Sequence, residues 1–333
     1  MSIRIGMIGT GGIAGAHVKG YVAAPELATI TAMADLSEES ARRRAADAGG
    51  SVTVYSDYHD LLADDTVDAV DICLPHHLHA PAIIAAAQAG KHIICEKPLC
   101  LTVAETDEIT AAVERSGVTL MCSHNQLYFP AVERAKELIE NGFLGDVFEL
   151  RTTDSFYNNF DPANMGWRAD RDKIGGGELI DTGYHPSYLL LHLAGAAPTE
   201  VSAMLSKHRL EFMDGEDSAQ LLVRFANGRV GHLVTSWAYQ AAGCTERFSA
   251  VGSDGQLWSD GTTLWFRKRG EDVQTEEFEQ VQTIPVAVAD FARRLIAGER
   301  PIHNQVEGIA VLKLILAAYR SAEENRTVRL ADL

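Results

Sequence analysis

The chain has 333 residues, 46% of them hydrophobic and 23% charged, with a formal net charge of −17. That length exceeds what one hydrophobic core serves, so two domains are expected. The acidic balance argues against nucleic acid and anionic membrane as partners, because both call for a basic footprint.

The first third alternates strand and helix. Strands are expected at 3–8, 27–35, 52–54, 67–74, 91–95 and 118–122. Helices are expected at 13–23, 37–48, 56–63, 80–89 and 103–116, with Ser37 capping one and Gly90 ending another. The apolar run 67–74 suits a parallel strand buried on both faces. Such alternation predicts a doubly wound parallel sheet.

The character changes after residue 122. A helix is expected at 131–141, a strand at 146–153, a polar loop at 158–177 and a helix at 179–193. Strands then follow one another near 200–205, 218–225, 229–237, 244–251 and 256–259, with turns at Ala226-Asn227-Gly228 and Gly252-Ser253-Asp254-Gly255. Strands without intervening helices indicate an antiparallel sheet. Helices return at 285–297 and 306–324. The fold class is therefore α/β, with domains 1–122 and 123–333 and the last helix free to pack back on the first domain.

Five cysteines occur, Cys73, Cys95, Cys100, Cys122 and Cys244, without a C-x-x-C pair. Cys73, Cys95 and Cys122 sit in apolar runs, where the thiol behaves as a small hydrophobe. A reducing compartment without disulfides is expected. The N-terminus enters a strand directly and no apolar run reaches membrane length, so the expected location is the cytoplasm.

Gly9-Thr10-Gly11-Gly12-Ile13-Ala14 fits G-x-G-x-x-[G/A], follows a strand and opens a helix. Gly9 permits the tight turn, Gly11 lets the backbone approach a pyrophosphate, and Ala14 allows close helix–strand packing. The helix N-terminus presents amide N–H groups to the phosphates. Asp35 closes the second strand and can accept hydrogen bonds from both ribose hydroxyls. A 2′-phosphate would meet a like charge there, so NAD is favoured, with NADP as the alternative. Arg42, Arg43 and Arg44 are expected on a solvated helix face, although they could in principle reach a 2′-phosphate.

Glu96-Lys97-Pro98 directly follows a buried strand. Ligands bind at strand carboxyl ends in such sheets, so a lysine there can meet cofactor or substrate. Further on, Gly175-Gly176-Gly177 precedes Asp181 and His185, which stand four apart on one helix face. Oxidising an alcohol needs a group that takes the hydroxyl proton, and histidine or lysine serves at neutral pH. Read alone, His185 is a helix histidine satisfied locally, and Asp181 a cap or ion-pair member. His76, His77 and His79 are closely spaced without an adjacent acidic or cysteine ligand, so no metal is expected.

Together these motifs resemble the Gfo/Idh/MocA family of oxidoreductases, in order and spacing along almost the whole chain. The resemblance implies a Rossmann domain followed by an α/β domain with a large open sheet that commonly forms the oligomer interface, so a homodimer or homotetramer is expected. It places Lys97, Asp181 and His185 at the catalytic positions. His185 would be the acid/base, and Lys97 would contact the substrate hydroxyl and the nicotinamide ribose. Gly9, Gly11, Gly12, Ile13, Ala14, Asp35, Pro75, His79, Glu96 and Lys97 are the implied cofactor positions. Pro75 and His79 resemble the loop below the nicotinamide, and Trp167-Arg168 a W-R pair. His76, the segment His124–Leu127, Tyr184 and Pro186 depart from the common pattern.

The expected function is oxidation of a CH–OH group on a sugar, inositol or related polyol. His124, Asn125, Tyr157, Asn158, Trp167 and Arg168 are candidate substrate contacts, since an aromatic face with polar groups suits a sugar. The alternative is transient redox on tightly held NAD, as in epimerisation, elimination or glycoside cleavage. A non-catalytic sensor is disfavoured by the intact acid/base residues.

Overall fold

The computed structural model describes residues 2–240 and 246–333. Cys244, expected at the start of a strand, lies outside them. The elements begin β1 Ile3–Ile8, α1 Ala14–Ala23, β2 Ala28–Ala34, α2 Glu38–Ala48, β3 Thr53–Tyr55, α3 Tyr58–Leu62, β4 Ala69–Ile72, α4 His79–Gln88, β5 His92–Cys95, α5 Val103–Ser116 and β6 Leu120–Cys122. Next come α6 Pro130–Glu140, β7 Val147–Ser155, α7 Arg171–Ile174, α8 Glu178–Asp181, α9 Tyr184–Ala194, β8 Pro198–Ser206, β9 Ser218–Phe225 and β10 Val230–Ser236. The last are β11 Phe248–Gly252, β12 Gly255–Ser259, β13 Thr263–Lys268, β14 Gln274–Glu277, α10 Thr283–Ala297, α11 Gln305–Glu324 and β15 Val328–Arg329.

The chain divides into two compact units, residues 1–125 with 282–309, and residues 126–281 with 310–333. In the first unit six parallel strands run in the order β3-β2-β1-β4-β5-β6. The order reverses between β1 and β4, and the loops after those two strands carry Gly9 and Pro75. Ligands bind at such switch points. Local chemistry sets the helix ends. Ser37 caps α2 by accepting from Ser40 N–H. Thr102 and Glu105 form a capping box on α5, which stops at left-handed Gly117.

Residues 282–309 belong with the first unit, although the sequence placed them in a domain running from 123 to 333. The reason is packing of α10 on α1. A Cβ on Gly20 would stand 2.3 Å from Val288 Cγ2 and 2.7 Å from Pro285 Cα, so the absent side chain admits α10. Ala287, Val288 and Phe291 of α10 are all fully buried.

The second unit holds a nine-stranded sheet in the order β14-β13-β12-β11-β7-β10-β9-β8-β15. All pairs are antiparallel except β7 with β10. Helix α9 lies on β7 and β10. Gly231 admits it, since a Cβ there would meet Leu190 Cδ2 at 2.8 Å. The two expected turns join β9 to β10 and β11 to β12. The expected helix 179–193 is broken into α8 and α9 at Thr182-Gly183, and the expected loop 158–177 contains α7. Strands β13, β14 and β15 were not foreseen. The sequence Gln274–Glu277 is polar throughout, and β15 is only 2 residues long. Among the described residues no helix is long and apolar enough to cross a membrane.

Candidate active site

The glycine turn is built for close approach. Gly9 takes φ of 89°, and a Cβ there would lie 2.5 Å from the Cys73 carbonyl oxygen. At Gly11 and Gly12 the Cβ positions have no neighbour within 4 Å, which leaves an open cradle over the turn. Helix α1 starts without a side-chain cap and without an acidic residue in its first turn. Its amide end is therefore available to an anion. Ala14 is fully buried and Ile13 is exposed. These features fit a dinucleotide pyrophosphate.

Asp35 is fixed by its own chain. Its Oδ2 accepts from Thr10 N and Thr10 Oγ1, both at 2.8 Å, and its Oδ1 accepts from Ser37 N at 2.8 Å. The carboxylate is thereby locked beside the glycine turn, where a ribose would meet it. The three arginines of α2 differ. Arg42 is exposed and pairs with Glu38. Arg44 departs from the expected solvated face, since its Nη2 donates to Gly11 O at 3.2 Å and its Nη1 to Asp47.

The carboxyl ends of β4 and β5 are tied together. His79 is fully buried, with Nδ1 2.6 Å from Pro98 O and Nε2 2.8 Å from Leu74 O. Its ring thus braces the loop carrying Pro75 against the Lys97-Pro98 turn, and burial lowers its pKa. Glu96 points inward to His17, not outward to a ligand. Burial raises the Glu96 pKa, but hydrogen bonding and charge from His17, with the Lys97 charge, prevail and hold it at about 2. His124, expected as a substrate contact, is 1% exposed, with Nδ1 2.5 Å from His303 Nδ1 and Nε2 3.1 Å from Cys122 Sγ. Asn125 Nδ2 donates to Thr283 Oγ1 at 2.7 Å. In this geometry both residues face partners in their own unit.

The second unit brings its own candidates together. Arg168 Nε donates to Asp181 Oδ2 at 2.7 Å, while its guanidinium lies 4.4 Å from the Trp167 ring centroid. His185 Nδ1 stands 2.8 Å from Tyr188 OH, which accepts from Gln126 N at 3.0 Å. Tyr188 thereby orients the imidazole. Glu178, one helical turn before Asp181, is fully buried. Burial raises its pKa well above the ordinary value; Thr235 opposes that, and Glu216, Asp154 and Asp181 add to it. Burial thus disfavours the charge of Glu178, whereas Asp181 has a guanidinium partner. Tyr157 is exposed and stacks under Arg209 at 4.1 Å, and Asn158 O accepts from the same guanidinium.

The sequence reading missed His17, Tyr21 and Asp71. The available signal was Asp71, a charge inside the apolar run 67–74, because a buried carboxylate must have partners.

Residues 3–124 match the model of the oxidoreductase family with an NAD-binding Rossmann fold, and residues 132–258 match the GFO/IDH/MocA C-terminal domain. The D-xylose 1-dehydrogenase (NADP(+)) 2 of Haloferax volcanii is 33% identical over 97% of this chain and 99% of its own length. The myo-inositol 2-dehydrogenase of Thermotoga maritima is 28% identical over 99% of both chains. The structure of a levoglucosan dehydrogenase in complex with NADH and levoglucosan matches at 27% identity and a TM-score of 0.89, covering 99% of this chain and 100% of that one. With both domains matched in sequence and the fold reproduced along the chain, the protein belongs to the Gfo/Idh/MocA family of oxidoreductases.

Proposed function

We propose that this protein is an NAD-dependent dehydrogenase of a sugar, inositol or related polyol. The observation that carries the reading is the open cradle at Gly11 and Gly12, set beside the locked Asp35 carboxylate. Near full-length similarity to dehydrogenases of xylose and myo-inositol supports the substrate class. When bound, the nicotinamide supplies the hydride acceptor. Gly9, Gly11, Gly12 and the first turn of α1 hold the pyrophosphate, and Asp35 accepts from the ribose hydroxyls. His185, steadied at Nδ1 by Tyr188, takes the substrate hydroxyl proton. Asp181 and its Arg168 partner keep a fixed charge pair one helix away. Lys97 binds the reacting oxygen, and Tyr157, Asn158 and Trp167 are proposed to contact the sugar.

Absorbance at 340 nm with NAD and a panel of aldoses, inositols and polyols tests this function. A rise with one substrate class is expected. No rise across the panel, with NAD binding established separately, would overturn net dehydrogenation of these compounds.

Asp35 also sets the dinucleotide preference. Calorimetric titration is expected to show NAD binding more tightly than NADP, because the locked carboxylate repels a 2′-phosphate. Tighter NADP binding would show that Arg44, close to the turn, outweighs Asp35.

We further propose a homodimer or homotetramer assembled through the outer face of the nine-stranded sheet. Met204, Leu222, Val230 and Val251 are exposed on it, and the Trp258 and Trp265 rings stack there at 6.2 Å. Light scattering is expected to give at least twice the chain mass of 36.1 kDa; a monomer mass would refute it. Cys73, Cys95, Cys100 and Cys122 are free and buried, which supports a reducing, cytoplasmic setting.

A further inference from the structure

The triple glycine ahead of Asp181 closes on two side chains to which the proposed reaction gives no part, Glu216 and Tyr319. Helix α8 begins after Gly177, which has no side chain to cap it. Three successive amides there are nonetheless bonded. Gly177 N donates to Tyr319 OH at 3.1 Å, Glu178 N to Glu216 O at 2.9 Å, and Leu179 N to Glu216 Oε1 at 2.9 Å. Tyr319 OH donates in turn to the same Oε1 at 3.0 Å. A helix usually takes such a cap from a serine, threonine, aspartate or asparagine at its own start. Here it comes from a carboxylate 37 residues beyond Leu179, braced by a tyrosine of α11.

The fit is close enough to dictate the glycines. A Cβ on Gly176 would overlap the Tyr319 hydroxyl. One on Gly177 would lie 2.6 Å from Glu216 Oε2, and one on Gly215 would lie 2.5 Å from Gly177 Cα. From this anchor, short bonded steps lead to the proposed acid/base residues. Asp181 is the last residue of α8 and accepts from Arg168. Gly183 N donates to Glu178 O and His185 N to Thr182 O, both at 2.9 Å. Thr182 Oγ1 accepts from Trp237 Nε1 at 2.8 Å. At 4 residues, α8 has no helical stability of its own, so what holds its ends sets its position.

We propose that Glu216 and Tyr319 are positioning residues for Asp181 and His185: together they cap α8 from outside and fix where it presents Asp181 and, through Thr182-Gly183, His185. The inference rests on the reading of Asp181 and His185 as acid/base residues. Without the Tyr319 hydroxyl, Gly177 N–H loses its acceptor and Glu216 loses a donor. Without the Glu216 carboxylate, Leu179 N–H and Tyr319 OH both lose theirs. An unpaired buried amide is costly, so the turn relaxes towards other acceptors and carries the following residues with it.

The test is Glu216→Ala and Tyr319→Phe in the full chain, read by the ring 15N signals of histidine-labelled protein, with His185 assigned through His185→Gln. No substrate is needed. In both variants the His185 signal is expected to shift or broaden as its Nδ1 contact with Tyr188 changes, while the His17 and His79 signals of the first unit stay in place. With a substrate from the 340 nm panel, kcat is expected to fall about 10- to 100-fold with a smaller change in KM, since displaced groups act on the chemical step. Glu216→Gln keeps an oxygen for both Leu179 N and Tyr319 OH and is expected to retain more turnover than Glu216→Ala. If Glu216→Ala does not fold, Tyr319→Phe, which loses a single hydroxyl, carries the test. A folded variant whose His185 signal stays at the native position overturns the proposal. Activity of His185→Gln reports separately on the histidine itself: native turnover there defeats the reading of His185, whereas an unmoved signal defeats only the roles of Glu216 and Tyr319.

Discussion

Lys97→Ala is expected to lower kcat by about 10²- to 10⁴-fold, the range for removing a group that positions or moves a proton in the transition state. The lysine stands where β5 ends, its main chain held by Glu96 and the following turn held by His79 through Pro98 O. Those anchors do not use the lysine side chain, so truncation leaves them in place. The variant should therefore keep its circular dichroism while losing turnover at 340 nm. Turnover near that of the native enzyme would remove Lys97 from the chemistry.

Asp217→Ala is expected to be the most damaging single change in the second unit. Asp217 is fully buried, and its carboxylate accepts backbone N–H from His208, Arg209 and Leu210 at 2.8–3.1 Å and the Ser218 hydroxyl at 2.9 Å. Alanine strands three main-chain donors. At about 1–3 kcal/mol for each unsatisfied group, the loss is on the order of 3 kcal/mol or more. For a protein of this size that lowers the melting temperature by roughly 6 °C or more. Asp217→Asn retains one oxygen acceptor and should lose less. The effect depends on pH with a definite sign. Burial raises the Asp217 pKa, but the three N–H groups and Ser218 prevail and lower it. Its stabilisation is full above the unfolded carboxyl value of about 3.9 and is lost as pH falls through the folded value. The gap between native and Asp217→Ala melting should thus be wide at neutral pH and narrow in acid. Equal melting temperatures at neutral pH would show that the segment before Asp217 is held by other contacts.

Much of the first unit was legible because its signals are local. Gly9 needs a positive φ within one turn of β1, Ser37 and Thr102 cap the helices they precede, and 67–74 is apolar by simple inspection. The second sheet was legible in part. Alternating strands such as Ser218–Phe225 bury every other residue from Ala219 to Phe225 and so announce themselves. The polar β14 does not, because its pairing with β13 comes from backbone hydrogen bonds and not from side-chain period. The break between α8 and α9 was also hidden, since Glu178–Ala194 keeps helical spacing across Thr182-Gly183.

The candidate site divides in the same way. By itself the sequence determined the glycine turn, Asp35 at the end of β2, Lys97 after β5, and Asp181 and His185 in one short stretch, because neighbours in the chain fix each of these. Only the tertiary structure decided their partners. His17 finds Asp71 54 residues away and Glu96 79 residues away, and His124 finds His303 across 179 residues. It also decided that residues 282–309 return to the first unit, through a glycine on α1 that leaves room for α10. Hydrogen-bond partners of buried charges are chosen by which strands and helices lie side by side, and that adjacency is a property of the packed sheet, which no local pattern encodes.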